Sequence, residues 1–273
     1  MFIAIDVGNT QTTAGLFDDG GTLMRQWRMA TDRTDTADEL HERMYGYFQM
    51  FGLDLRDVSD VAIASVVPIL STEWRHMMRE VVDTEPLMVS ARRDCGIEVG
   101  MPDPYQVGAD RIANALSAKE RYGAPVIVVD FGTATNIDVV DARGAFRGGA
   151  IMAGVVSSAG ALFERAAQLA SVPLVMPERA LGDSTETAVQ SGMVLGAACQ
   201  VEGLVARVIR ELREETPEME RPTVVATGGF ANEIARATDI FDAIDPDLTI
   251  RGIYQIWRHR ALKRARRLAA RQG

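Results

Sequence analysis

Two short stretches place an aspartate where it could do chemistry. Ile5-Asp6-Val7-Gly8-Asn9-Thr10 lies near the start of the chain, and Val129-Asp130-Phe131-Gly132-Thr133 near its middle. In each, an apolar run meets Asp-x-Gly, passes a Thr-rich turn and enters a second apolar run that closes on a glycine turn. Asp6 and Asp130, Gly8 and Gly132, and Gly20 and Gly144 are each 124 residues apart. Glycine lets the backbone come close to a ligand, and Asn and Thr supply short polar groups. Successive amides of such a turn can cradle phosphate. An aspartate at a strand end meets phosphate comfortably only across a cation, which points to magnesium with its water shell at Asp6. Neither 6–13 nor 130–138 contains a Lys or Arg. Charge neutralisation therefore falls to bound cations and backbone dipoles. One such turn alone reads as an ordinary hairpin; the matched pair favours a phosphate site. A Gly-x-x-x-x-Gly-Lys-Ser/Thr loop and a dinucleotide Gly-x-Gly-x-x-Gly are both missing from the sequence. Gly228-Gly229, after the apolar run of TVVATGG, offers room for a flat base and ribose, or is simply a helix-start turn.

Elements must hold these turns in place. FIAID, TTAGLFD and TLMRQWRMA read as a three-strand meander. Thr36-Ala37-Asp38-Glu39 has the spacing of a capping box, so a helix follows over ELHERMYGYFQMFG. VAIASVV reads as a buried strand broken by Pro68, with a helix after it. Val89 to Val107 reads as irregular and Ala109 to Arg121 as a helix. VIVVD, NIDVVD and AFRGGAIM form a second meander. Helices then dominate from Ser157 to Glu215, interrupted by the Pro- and Gly-rich SVPLVMPERALGDST; a late strand, a short helix and a helical tail end the chain. The pattern predicts an α/β duplication with mixed sheets flanked by helices. Its boundary falls near Lys119 to Ala124, giving lobes over 1–118 and 119–273, with ligands in a cleft between them.

Composition sets the broad class. A 273-residue chain that is 47% apolar can bury a proper core. No stretch approaches 18 consecutive apolar residues, and the first residues lack a signal pattern, so a cytoplasmic protein without a membrane span is expected. A net charge of −9 argues against broad nucleic-acid binding. The basic end, IWRHRALKRARRLAARQG, reads as a solvated helix, with a phosphate- or lipid-binding face as the other reading. Cys95 and Cys199 read as free thiols, and the scattered His41, His76 and His259 do not suggest a metal site or triad.

At this point a resemblance becomes specific. The paired Asp-x-Gly-Thr loops and the late Gly-Gly are similar to those of the acetate and sugar kinase, heat-shock chaperone and actin superfamily. Within it the chain resembles type III pantothenate kinase along nearly its whole length. IDVGNT, DTADEL, ASVVP, QVGADRIANA, VDFGTATNIDVV, GGAIMAG, LGDSTETAVQSG, ATGG and LTIRGI carry the likeness.

The resemblance implies duplicated ribonuclease H-like (actin-like ATPase) domains. It also implies ATP-dependent phosphorylation of the pantothenate primary hydroxyl to 4'-phosphopantothenate, the first step of coenzyme A synthesis. Asp6, Val7, Gly8, Asn9, Thr10, Gln11, Thr12 and Thr13 would bind the ATP phosphates, Asp6 with magnesium. Asp130 would ligate a monovalent cation, potassium or ammonium. Thr133 would touch ATP, as would Gly228 and Gly229. Gly108, Ala109, Asp110 and Arg111 would bind pantothenate, with Asp110 the general base and Arg111 paired to the substrate carboxylate. Thr185 would reach pantothenate from the partner subunit of a homodimer. The residue types suit these roles: a carboxylate can take an alcohol proton, and a guanidinium fork suits a carboxylate. By residue type alone, Asp110 and Arg111 also read as a helix N-terminal acid and a surface salt bridge, and Ser184 or Thr185 as a helix cap.

Two positions depart from the family pattern. Met101 stands where a tyrosine lines the pantothenate site, and Ala153-Gly154 replaces Pro-Gly. Two further readings therefore stay open: a relative with altered catalysis acting as a nucleotide-binding or regulatory protein, and a kinase of another small alcohol.

Overall fold

The computed structural model describes residues 1–82, 85–92, 94–166 and 170–272. The chain forms two compact units, Met1–Ser117 with Leu248–Gly273, and Ala118–Asp247.

In the first unit, β1 (Phe2–Val7), β2 (Gln11–Phe17) and β3 (Leu23–Ala30) make an antiparallel meander. Strands β4 (Asp60–Ser65) and β5 (Leu87–Met88) add in parallel on the other side, giving the order β3-β2-β1-β4-β5. The near-continuous apolar run of β1 reflects cover on both faces. One face packs against helices α1 (Ala37–Met50) and α2 (Pro68–Val81): Ile3, Ile5 and Val7 join Leu40, Met44, Phe48, Leu70 and Trp74 in one core. Helix α1 starts as its sequence dictates, with Thr36 and Glu39 in a reciprocal capping box. Pro68 opens α2 at its first turn, where a missing amide costs nothing. A two-residue strand, β6 (Glu98–Val99), and a 3-10 turn at Pro104–Gln106 precede helix α3 (Ala109–Tyr122).

The other face of β1 is covered by helix α8 (Leu248–Gln272). Phe2 packs on Tyr254 and Trp257 with ring centroids 5.3 and 4.5 Å apart, and Phe17 stacks on Tyr254 at 4.6 Å. Gly252 lets α8 close on α3, since a Cβ there would lie 2.0 Å from the Ala113 carbonyl oxygen. A second lobe running to residue 273 is therefore corrected: the last helix belongs to the first unit, where its Ile250, Ile253 and Ile256 are buried. The solvated tail begins only at Arg258, and the first division between the units falls within α3, between Ser117 and Ala118, one residue before the expected division between 118 and 119.

In the second unit, β7 (Val126–Phe131), β8 (Ala134–Val140) and β9 (Ala145–Ala153) repeat the meander. Strands β10 (Thr223–Thr227) and β11 (Ala243–Ile244) extend it in parallel beyond β7. Helix α4 (Val155–Arg165) follows β9, and α5 (Thr185–Gln190) runs through a π-helical turn at Ser191–Leu195 into α6 (Gly196–Glu215). A short α7 (Ala231–Ile234) follows β10. The continuous helix over 185–215 is long and apolar enough to cross a membrane by length and composition. Its Val194, Ala198, Val201 and Val205 pack instead with Ile127, Val129 and Ile137 in the core of this unit.

The duplication is legible bond by bond, with one change of register. Phe2 and Val7 match Val126 and Phe131 at an offset of 124, but Gln11 and Phe17 match Ala134 and Val140 at 123. The second turn is one residue shorter: the Gly8 amide donates to the Gln11 carbonyl, the Gly132 amide to that of Ala134. The following hairpin keeps 123. Gly21 (φ +84°) donates to the Asp18 carbonyl, and Gly144 (φ +78°) to that of Asp141. Gly144 is thus the counterpart of Gly21 rather than Gly20, the left-handed position only glycine fills without strain.

Candidate active site

In the first unit the Asp6 turn sits at the carboxyl end of β1, beside the end of parallel β4. Asp6 pairs with Ala64 in the ladder, and the Val66 amide donates to the Val7 carbonyl at 3.1 Å. Ligands of α/β sheets gather at this edge. The turn itself is closed by the Gly8–Gln11 bond, and a Cβ on Gly8 would lie 2.8 Å from that Gln11 carbonyl. Asn9, Thr10 and Gln11 are exposed at the tip, while Asp6 is half-buried. Val7 is fully buried and Thr12 nearly so, its hydroxyl 2.8 Å from that of Thr31. These two side chains build the frame of the turn rather than its ligand face.

Helix α3 opens at the same edge. A Cβ on Gly108 would lie 3.8 Å from Val66 Cγ1 and only 2.4 Å from Asp110 Oδ1. Glycine at 108 thus leaves space that the Asp110 carboxylate fills. That carboxylate accepts the Arg111 amide at 2.9 Å. Ala109 is buried, while Asp110 and Arg111 are half-buried in the first turn, where the helix dipole favours an acid. Burial nevertheless dominates and pushes the Asp110 carboxyl above its ordinary value, against the Arg111 amide and guanidinium, which pull it down. A carboxylate poised above the usual range is a better proton acceptor. The structure therefore brings Asp6–Gln11 and Gly108–Arg111 to one sheet edge. Met101 is half-buried in the segment between β6 and the 3-10 turn.

Sequence reasoning about this turn missed Arg33. It stands in the β3–α1 connection, which folds over the Asp6 turn: the Thr31 amide donates to the Thr10 carbonyl at 3.0 Å, and Arg33 Nη2 donates to Asn9 Oδ1 at 3.1 Å. A guanidinium therefore stands at a turn whose own residues include no Lys or Arg. The residue lies outside the motif, and only the fold of the connection brings it back.

In the second unit Asp130 ends β7 next to Thr227 of β10. Gly228 (φ +90°) turns the chain against it, so that a Cβ there would lie 2.6 Å from both Asp130 Oδ1 and the Phe131 carbonyl oxygen. Gly229 is exposed before α7. Gly154 packs equally closely on the Asp130 turn. Its amide donates to the Thr133 carbonyl at 3.1 Å, and a Cβ would lie 2.4 Å from the Gly132 carbonyl oxygen. Ser157 Oγ also donates to the Thr133 carbonyl, at 2.8 Å. One carboxylate amid backbone carbonyls is a hard-oxygen set that fits a monovalent cation. Among the described residues no group of three His, Cys, Asp or Glu could hold a metal by side chains alone. A magnesium ion at Asp6 fits the single carboxylate, because that ion keeps waters and takes its other ligands from phosphate.

Thr185 opens α5, but Ser184 is the cap: its side chain accepts the Thr187 amide at 3.1 Å, and Thr187 Oγ1 accepts the Ser184 amide at 3.0 Å. Thr185 is left exposed beside the cap. The loop before it is strapped to the helix by Gln190 Nε2, which donates to the Pro173 carbonyl at 3.0 Å, and by Ser191 Oγ, which donates to the Ala180 carbonyl at 2.6 Å.

The chain is similar to known proteins over nearly its whole length. The family described as type III pantothenate kinase matches residues 2–207. A type III pantothenate kinase of Thermomicrobium roseum is 44% identical, covering 96% of this chain and 99% of its own. Among solved structures, a Baf family transcriptional activator from Campylobacter jejuni superposes with a TM-score of 0.60 at 16% identity, covering 95% and 98% of the two chains. A 2-dehydro-3-deoxygalactonokinase protein from Sinorhizobium meliloti does so with 0.55 at 11%, covering 95% and 96%. At such identities the structures speak to fold alone. That fold is the duplicated, mixed-sheet α/β architecture of the sugar kinases and actin-like ATPases.

Proposed function

The chain belongs to the type III pantothenate kinase family, and from that premise we propose that it transfers the γ-phosphoryl group of ATP to the primary hydroxyl of pantothenate. The observation that carries the reading is Asp110. Burial raises its pKa, and it is held in the first turn of α3, at the carboxyl end of the strands where the Asp6 turn lies.

Asp110 takes the hydroxyl proton as the oxygen attacks the γ-phosphorus and the bond to the β,γ-bridging oxygen breaks to release ADP, while Arg111 holds the pantothenate carboxylate. The amides and polar tips of Asp6–Thr13 receive the ATP phosphates, with Thr133, Gly228 and Gly229 as further nucleotide contacts. Asp6 would hold magnesium and Asp130 potassium or ammonium, and these cations would supply positive charge against the phosphates. Met101 lines the pantothenate site as an apolar wall. Thr185 of the partner subunit completes that site in a homodimer. The apolar window of the helix over 185–215 is only 22% buried within one chain, which supports a subunit contact. A cytoplasmic setting supplies ATP and potassium, and the net charge of −9 supports a small-molecule substrate over nucleic acid or an anionic membrane.

The purified chain with ATP, magnesium and potassium should phosphorylate pantothenate and elute as a dimer. Nucleotide binding without turnover would favour a regulatory relative instead. A better kcat/KM on another hydroxy acid or polyol would favour a different small alcohol.

A further inference from the structure

The turn between β3 and α1 is pinned at nearly every charged residue except one. Asp32 accepts the Thr34 amide and hydroxyl at 2.9 and 2.7 Å. Asp35, buried, is held by a two-pronged contact from Arg43 at 2.5 and 2.7 Å. Glu39 closes the capping box with Thr36. Arg33 stands between these fixed points, exposed, and among the described residues it forms no ion pair. Its guanidinium reaches instead to a neutral amide, Asn9 Oδ1 at 3.1 Å, at the exposed tip of the Asp6 turn. That single contact leaves most of its five N–H donors for another acceptor. In a chain of net charge −9 with acidic side chains on both sides of it, a guanidinium placed on a glycine turn that has no cation of its own is positioned for an incoming anion.

We propose that Arg33 is a phosphate-binding residue, gripping the terminal phosphates of the nucleotide from the β3–α1 turn while Asn9 holds its fork in place. The proposal rests on the ATP reading of the Asp6 turn. A planar fork suits phosphate oxygens, and the neighbouring Thr31–Thr10 and Thr12–Thr31 bonds fix the turn that presents it.

The test compares the wild-type chain with Arg33→Gln and Arg33→Lys, measuring ATP, ADP and adenosine binding by calorimetry and initial rates with ATP and pantothenate varied separately. Arg33→Gln should weaken ATP about tenfold, close to 1.4 kcal/mol. Adenosine affinity and the pantothenate KM should stay within about twofold, and Arg33→Lys should recover part of the loss. An ATP affinity within twofold of wild type would overturn the proposal. So would equal losses for ATP and adenosine, which would make Arg33 a brace for the turn. If wild type binds ATP but does not phosphorylate pantothenate, the substrate reading fails while the binding arm still decides Arg33; if wild type binds no ATP, both fall.

Discussion

Gly228 lies against the carboxylate of Asp130: a side chain at residue 228 would start 2.6 Å from Oδ1, on a backbone with φ of +90°. Conformation and space therefore both exclude any other residue. Gly228→Ala should lose about 1–2 kcal/mol from the left-handed backbone alone, more from the overlap. Thermal melts would measure the loss, and a potassium titration of the rate should show weaker activation. Asp130→Asn keeps the shape and should lose the cation response with little change in melting temperature. Unchanged potassium activation in both variants would remove Asp130 from the cation site.

Gly154 plays the same spatial role on the other side of the Asp130 turn. Its Cβ would meet the carbonyl oxygens of Gly132 and Thr133 at 2.4 and 2.5 Å, both backbone atoms. Gly154→Ala should displace the turn, lowering stability by about 1–3 kcal/mol and raising the KM for ATP. Ala153→Pro tests the neighbouring departure: if the substitution leaves ATP and pantothenate kinetics unchanged, the family's proline serves backbone rigidity alone.

Asp110 should show opposite effects on rate and stability. Burial raises its folded pKa above the unfolded value, so its contribution to stability is fully present below the unfolded pKa and is lost as pH rises through the folded pKa. At neutral pH the ionised carboxylate is a cost that Asp110→Asn removes, while the amide oxygen can still accept the Arg111 amide. The variant should melt higher at pH 7 than wild type, with the gain vanishing near pH 3, and its kcat should fall about 100-fold or more. The wild-type rate should decline in acid at a pH above the ordinary carboxylate range. A variant with full activity would leave the reaction without this base.

Ser184 and Thr185 are adjacent hydroxyls with separable tasks. Ser184→Ala removes the α5 cap and should cost about 1 kcal/mol of stability. Thr185→Val should leave the melting temperature unchanged and raise the pantothenate KM. The reverse pattern would make Thr185 the structural residue.

Local chemistry was readable wherever it is set by neighbours in the chain. The Thr36–Glu39 capping box, the strand that stops before Pro68 and the α3 start at Gly108-Ala109-Asp110 follow from short-range rules, and the structure has all three. What was not readable depends on distant partners. The allegiance of α8 rests on Phe2 meeting Trp257 across the whole sequence. Arg33 reaches the Asp6 turn only because β3 returns alongside β2. The 123-residue register past the turns was hidden because Gly20 and Gly21 are adjacent, and only backbone sign tells which one matches Gly144. Choosing Ser184 over Thr185 as cap likewise needed the hydrogen bonds themselves.

The most direct measurement is a coupled kinase assay on the purified chain with ATP, magnesium and potassium, run on pantothenate beside a panel of hydroxy acids and polyols, with the product identified by mass. The expected product is 4'-phosphopantothenate, with pantothenate giving the highest kcat/KM of the panel and Asp110→Asn lowering the rate about 100-fold or more. Absence of pantothenate phosphorylation with either potassium or ammonium, from folded protein that binds ATP, would contradict it.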